Sequence, residues 1–157
     1  MPEYLNVHDL ALMIIRINQK YAALLGKKIE FVSQIKGQHP NYHIYLLLSF
    51  INNLVANAVE AIEDMGRILI SIDKHDDWIE CKVIDDGPGV PSKFTELIFK
   101  PGFTSKYGGD GTPSTGIGLS YIKEMAEELG GDVSLSQRKN ECIFTIRLPI
   151  RSLVEKG

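Results

Sequence analysis

The glycines of this chain are gathered in one place, and that placement limits what it can fold into more than any other feature. Of 14 glycines, 8 lie between Gly87 and Gly118 together with 4 of the 7 prolines, whereas residues 46–63 just upstream contain neither. Both residue types interrupt helices, so the segment without them can propagate one. The segment rich in them must be irregular and supplies turns and close backbone approach. The fold therefore has to join a long helix to a stretch of unusual backbone.

The rest of the chain reads outward from that pair. Residues 6–25 open with Asn6 as a cap and Asp9 in the first turn. They then place Leu10, Met13, Ile14, Ile17, Tyr21 and Leu24 at three- and four-residue spacing until Gly26, which predicts an amphipathic helix. Residues 28–35 alternate, with Ile29, Phe31 and Ile35 on one face, and predict a strand. The long helix is expected over about 42–64, apolar around much of its circumference and so central. Residues 67–73 and 78–84 read as a hairpin turning at 75–77, residues 91–99 as a short helix and residues 117–129 as a third main helix. Two last strands, 132–137 and 142–149, turn at Lys139 and Asn140. Helices alternating with hairpins predict an α+β two-layer sandwich, with about five mostly antiparallel strands against three main helices, in one domain over 1–157.

Charge and composition exclude several classes. With 17 basic against 20 acidic residues, a net charge of −3 and no run of lysines or arginines, no nucleic-acid partner is expected. The mainly apolar stretches, such as 45–51, fall short of the ~20 residues of a bilayer span, and the first residues lack a basic secretory start. No direct membrane contact and a cytoplasmic setting are expected. Cys81 and Cys142 stand singly in alternating segments, as reduced strand residues would, without the pairing of zinc or redox motifs.

Four short elements carry chemistry. Asn53 and Asn57 stand four residues apart on one helix face, and carboxamide oxygens are neutral, hard ligands suited to Mg²⁺; a polar helix edge has the same spacing. Asp85-Asp86-Gly87-Pro88-Gly89 follows a strand directly. A carboxylate at that strand end can accept a hydrogen bond from an exocyclic amine such as that of adenine, although a plain Asp-Gly turn reads alike. Residues 98–106 place Phe99 and Phe103, suited to anchoring a loop in the core, beside Thr104, Ser105 and Lys106, which can reach a phosphate. Thr115, Gly116, Ile117, Gly118 and Leu119 open a helix, where free N–H groups and the positive dipole end face an anion. No third glycine and no preceding strand complete a dinucleotide fingerprint, and there is no P-loop.

Each element is common alone; their order within about seventy residues is not. In that order the chain resembles the catalytic and ATP-binding domain of bacterial sensor histidine kinases, in the superfamily of gyrase, the ninety-kilodalton heat-shock chaperone and the mismatch-repair ATPase. The resemblance runs from the first helix to Phe144, Leu148 and Pro149. It implies the Bergerat-type ATP-binding fold and, as cofactors, ATP and Mg²⁺. Asn53 and Asn57 fall on the box that contacts Mg²⁺ and phosphate, with Asn57 the metal ligand. Asp85 falls on the adenine-binding aspartate, and Gly87 and Gly89 on the pocket wall. Phe99 to Lys106, including Thr104 and Ser105, and Thr115 to Leu119 flank a lid over 106–115, with Asn53 and Lys106 closest to catalysis.

The acceptor implied is a histidine on a separate dimerisation domain of the same kinase, absent from this sequence, since His8 merely opens the first helix. A response regulator is the indirect partner, the full-length protein a homodimer, and this chain one module of it. Gly102 departs from the family, which has an aromatic there, and Glu60 replaces a basic residue common in relatives. Two alternatives share the fold: a freestanding anti-sigma factor with serine kinase activity, and a non-catalytic nucleotide-binding scaffold. Asn53 favours the histidine kinase, because an imidazole acceptor is already nucleophilic and needs less base assistance than the carboxylate usual at that position in anti-sigma kinases provides.

Overall fold

A computed structural model describes residues 3–101, 103 and 118–154. Seven strands and three α-helices alternate along it: β1 (Tyr4–Leu5), α1 (Val7–Leu24), β2 (Lys28–Ile35), β3 (Tyr42–His43), α2 (Ile44–Ala61), β4 (Met65–His75), β5 (Trp78–Asp85), α3 (Leu119–Glu128), β6 (Asp132–Arg138) and β7 (Glu141–Pro149). The main sheet has five strands in the order β2-β4-β5-β7-β6, and the helices pack on one face. The α+β sandwich expected from the sequence is present. Only β2 and β4 run parallel, because α2 crosses over between them; the other neighbours are antiparallel.

Strand alternation sets the core. In β5, Ile79, Cys81, Val83 and Asp85 are buried and the residues between them are half-buried on the opposite face. Helix α2 lies between α1 and strands β4 and β5, and buries residues around most of its circumference, including Leu47, Phe50, Ile51, Leu54 and Val55. Truncating a fully buried leucine such as Leu54 to alanine is expected to cost about 2–5 kcal/mol. By length and composition α2 is apolar enough to cross a bilayer, with a mean hydropathy of 1.4 over 18 residues. That exceeds what residues 45–51 alone suggest, and its place in the core accounts for the apolar content.

Side chains fix the helices to one another. Asn6 caps α1 through Oδ1, which accepts from the Asp9 amide at 2.9 Å. Buried Asn18 donates to the Ile14 carbonyl at 2.9 Å and to Asn52 Oδ1 at 2.8 Å, a polar bridge from α1 to α2. Lys27 Nζ donates to the carbonyls of Val59 (2.8 Å) and Glu60 (3.0 Å), closing the C-terminal turn of α2, which has no basic residue of its own. At Gly131 an added Cβ would run into the Arg147 carbonyl, so the start of β6 requires glycine beside β7.

The structure corrects several details. Helix α2 begins at Ile44, because Tyr42 and His43 pair as β3 with Leu5 and Tyr4 of β1. Residues 91–99 hold only a single 3₁₀ turn, Ser92–Phe94, followed by further turns. Helix α1 buries Leu10 and Ile14 as expected, but leaves Ile17 and Leu24 43% and 84% exposed. Cys81 and Cys142 are buried free thiols in β5 and β7.

Candidate nucleotide site

Strand β5 delivers Asp85 to the edge of a cleft. The register sets it between Ile68 of β4 and Cys142 of β7, and it is only 4% exposed. One oxygen, Oδ1, accepts from the Gly87 amide at 2.9 Å; the other has no partner among the described residues. Burial pushes its carboxyl up to about 6, with the Gly87 amide opposing and Asp86 adding to the rise. A buried carboxylate with a free oxygen on a cleft is an acceptor waiting for a donor.

The cleft is narrow, with a volume of about 60 Å³, well below the roughly 300–1,000 Å³ of a small-molecule site. Helix α2 contributes Asn57, Ala58 and Ala61, strand β7 contributes Cys142 and Phe144, and Gly89, Val90, Ile98 and Leu119 complete the lining. Asn57 makes no hydrogen bond to any described residue, so its carboxamide is available on the cleft. Asn53 is turned back on its own helix, donating from Nδ2 to the Ser49 carbonyl at 2.6 Å, and does not line the cleft. The two asparagines share a helix face, as their spacing predicts, with different surroundings. Among the described residues no group of three or more His, Cys, Asp and Glu is placed to hold a metal. A cation here would have to use carboxamide and ligand oxygens, a donor set that fits Mg²⁺.

The glycines beside Asp85 have steric reasons. A Cβ on Gly87 would stand 2.9 Å from Asp85 Oδ1 and 3.3 Å from Ile62 Cγ1. Gly89 has φ +75°, and a Cβ there would strike Oε1 of Gln137. That Gln137, on edge strand β6, holds Val90 at both backbone groups: Val90 N–H donates to Oε1 at 2.8 Å, and Nε2 donates to the Val90 carbonyl at 2.9 Å. Asp86 binds the Arg67 amide through Oδ1 at 2.8 Å, tying the turn to β4. Gln137 escapes sequence reasoning because a lone polar residue on an edge strand carries no motif.

Phe99 lies edge-on to Phe144 with ring centroids 6.2 Å apart, and Phe103 packs on Phe94 at 5.5 Å, so both phenylalanines anchor their segment as expected. Ile98, not Phe99, lines the cleft. Lys123 of α3 stands 5.3 Å from the Phe99 ring centre and donates to Asp132 Oδ1 at 2.8 Å, joining α3, β6 and this segment. Gly118 is the N-cap of α3 with no side-chain cap, and Leu119 of the first turn is buried on the cleft. Gly102, Thr104, Ser105, Lys106, Thr115, Gly116, Ile117 and the expected lid lie outside the described residues. Glu60 points to α1, where its Oε2 accepts from the Tyr21 hydroxyl at 3.2 Å.

Residues 43–152 match the family described as histidine kinase-, DNA gyrase B- and HSP90-like ATPases. The chain belongs to this ATPase family. Its relatives include the sensor histidine kinase GlnK of Bacillus subtilis (strain 168), 47% identical over 156 residues that make up 99% of this chain and 38% of that protein. Sensor protein CitS of the same organism is 31% identical, over 90% of this chain and 28% of its own length. The chain thus spans well under half the length of these relatives. The catalytic domain of histidine kinase ThkA superposes with a TM-score of 0.76 at 24% identity, covering 94% of each chain. Full-length ShkA in complex with AMPPNP gives a TM-score of 0.77 at 20% identity, over 98% of this chain and 31% of that one. These likenesses establish the ATPase fold, and the relatives named as sensor histidine kinases give the anti-sigma alternative no support.

Proposed function

We propose that this chain is the catalytic, ATP-binding module of a longer, homodimeric sensor histidine kinase with a cytoplasmic catalytic part. In this reading it donates the γ-phosphoryl group of ATP to a histidine on a separate dimerisation domain, for later passage to a response regulator. The observation that carries it is Asp85: a buried carboxylate on the cleft, one oxygen held by Gly87 and the other free to accept the adenine amine. A base without that donor would leave the buried oxygen unpaired, which is the basis of discrimination.

Around Asp85 the other residues take complementary roles. Gly87, Gly89, Val90, Ile98, Cys142 and Phe144 enclose the base. Asn57, with Asn53 one turn earlier, orients the phosphates, and Mg²⁺ bound there supplies neutralisation of their charge. The start of α3 at Gly118 and Leu119, with Gly116, Thr104, Ser105 and Lys106, faces the anionic end. In the transfer, a nitrogen of the acceptor imidazole forms the new N–P bond, the bond from the γ-phosphorus to the β,γ-bridging oxygen breaks, and ADP leaves with that electron pair while the imidazole loses its proton. Nothing in this chain needs to act as a strong base, in keeping with asparagine at position 53.

The test is calorimetry of the chain with Mg·ATP and Mg·GTP, followed by phosphate transfer to a separately produced histidine-bearing dimerisation domain. ATP should bind and GTP should not, and label should appear on the second domain only. Equal affinity for the two nucleotides would remove Asp85 from the adenine role.

A further inference from the structure

The residues that line the cleft are not all held alike. Those on α2, β5 and β7 belong to the core helix and the sheet ladder, and Gln137 grips Val90, which leaves Ile98 and Leu119. Both are buried. Among the described residues, the backbone hydrogen bonds around Ile98 close on its own segment, with the Ile98 N–H donating to the Phe94 carbonyl at 3.1 Å. Side chains must therefore set where this segment sits against α3. In a cleft this narrow, that setting decides where a base can lie.

Lys123 joins the two. It stands four residues after Leu119, one turn on along the same face of α3. Its Nζ donates to Asp132 Oδ1 at 2.8 Å and to the Val133 carbonyl at 3.3 Å, both on β6, and lies over the Phe99 ring, 5.3 Å from its centre. At that distance the negative face of the ring attracts the cation. Phe99 follows Ile98 directly, and its ring meets Phe144, another lining residue of the cleft, edge-on at 6.2 Å. The Asp132 side chain is 59% exposed, so its ion pair adds little stability and serves to aim the ammonium. The Lys123 side chain, at 32%, is the better shielded partner.

We propose that Lys123 is a positioning residue of the nucleotide site, acting through Phe99 to hold Ile98 and Phe144 in place around the base, an assignment that rests on the nucleotide reading above. Its ammonium does not line the cleft. It fixes the segment that does, by binding α3 and β6 on one side and the Phe99 ring on the other. The start of α3, assigned to the phosphates, and the pocket for the base are thereby tied through one side chain.

A double-mutant cycle on Mg·ATP affinity, read by calorimetry, tests this. Lys123→Met keeps the aliphatic stem and removes the cation, and should weaken binding at least about threefold. Lys123→Arg keeps a cation and donors over the ring and should stay within about twofold of the parent. In a Phe99→Leu background the ring is gone, so Lys123→Met should then change affinity by less than about twofold. Asp132→Asn leaves an oxygen for Nζ and the cation over Phe99, and should cost less than Lys123→Met. Urea unfolding without nucleotide checks that each variant is folded, and there too the Lys123 and Phe99 substitutions should be non-additive. Unchanged affinity in Lys123→Met, no rescue by Lys123→Arg, an Asp132→Asn loss as large as that of Lys123→Met, or additivity in either cycle would each overturn the proposal while the parent still binds Mg·ATP. A parent chain without Mg·ATP affinity would instead overturn the nucleotide reading, and this role with it, whatever the urea cycle shows.

Discussion

Gln137 on the outermost strand β6 grips Val90 on the wall of the cleft by both ends of its carboxamide, at 2.8 and 2.9 Å. The oxygen occupies the space that a Cβ at position 89 would fill, so Gly89 and Gln137 are sterically coupled. The pair makes the free edge of the sheet a support for the candidate nucleotide site.

Gln137→Ala should therefore loosen Gly89 and Val90 without touching the phosphate end. Losing two hydrogen bonds of about 1 kcal/mol each, partly replaced by water, predicts a roughly 5- to 30-fold weaker ATP affinity. The KM for ATP should rise while kcat for transfer to the dimerisation domain stays within about twofold. A fall in kcat with unchanged KM would place the effect elsewhere.

At Asp85 the proposed function is set against stability. In the folded chain burial raises its pKa from 3.8 to about 6. Between those values the folded state holds a proton that the unfolded state has released, so this group's contribution to stability falls as pH rises from about 4 to about 6. At neutral pH the buried charge costs about 3 kcal/mol. Asp85→Asn keeps an oxygen for the Gly87 amide and removes the charge. It should raise the neutral-pH melting temperature by several degrees while weakening Mg·ATP binding severely, by at least about tenfold. Paired thermal melts and calorimetry at pH 7 check both; a variant that melts lower, or binds as well as the parent, contradicts this account.

The melting temperature of the parent chain should also rise on acidification from pH 7 toward pH 5 more than that of Asp85→Asn, because only the parent can take up this proton. Matching profiles for the two would assign the pH dependence to other groups.

What was legible in the sequence follows from the length scale of each signal. The five sheet strands and three helices carry periodicities over many residues, and Asp85, Gly87 and Gly89 sit in a local pattern whose steric reasons the structure supplies. The β1 and β3 pair is two residues long on each side, too short for any period to register. Ile17 and Leu24 share the helical spacing of the inward residues, yet spacing alone cannot tell a core face from an outward apolar one when a helix carries both. Gln137 and Lys27 act through backbone atoms of residues distant in sequence, Val90 in one case and Val59 with Glu60 in the other. Only the packed fold brings such partners together.

Lys27 makes that point testable. Its ammonium holds two carbonyls at the end of α2, although burial, the largest effect on it, lowers its pKa. Lys27→Met keeps the aliphatic stem and removes the donors. It should destabilise the chain by about 1–2 kcal/mol in urea unfolding, with nucleotide affinity unchanged because the contact lies outside the cleft. A change in ATP affinity of more than about threefold would show that the end of α2 is coupled to the site.

The last prediction separates the two asparagines. Asn57 stands on the cleft with its carboxamide unbonded among the described residues, whereas the amide of Asn53 is committed to Ser49. If Asn57 contributes the metal-binding oxygen, Asn57→Ala should remove most of the Mg²⁺-dependent part of ATP affinity and leave metal-free ADP binding, assigned in the proposed function to Asp85, within about twofold. Asn53→Ala should spare Mg·ATP affinity by comparison and act mainly on the transfer rate. Calorimetric titrations of both variants, with ATP in Mg²⁺ and with ADP in chelator, read the difference directly. An Asn57→Ala chain that loses both affinities equally would mean the carboxamide supports the pocket, not the cation, and an Asn53→Ala chain with the larger loss of Mg²⁺-dependent affinity would reverse the assignment.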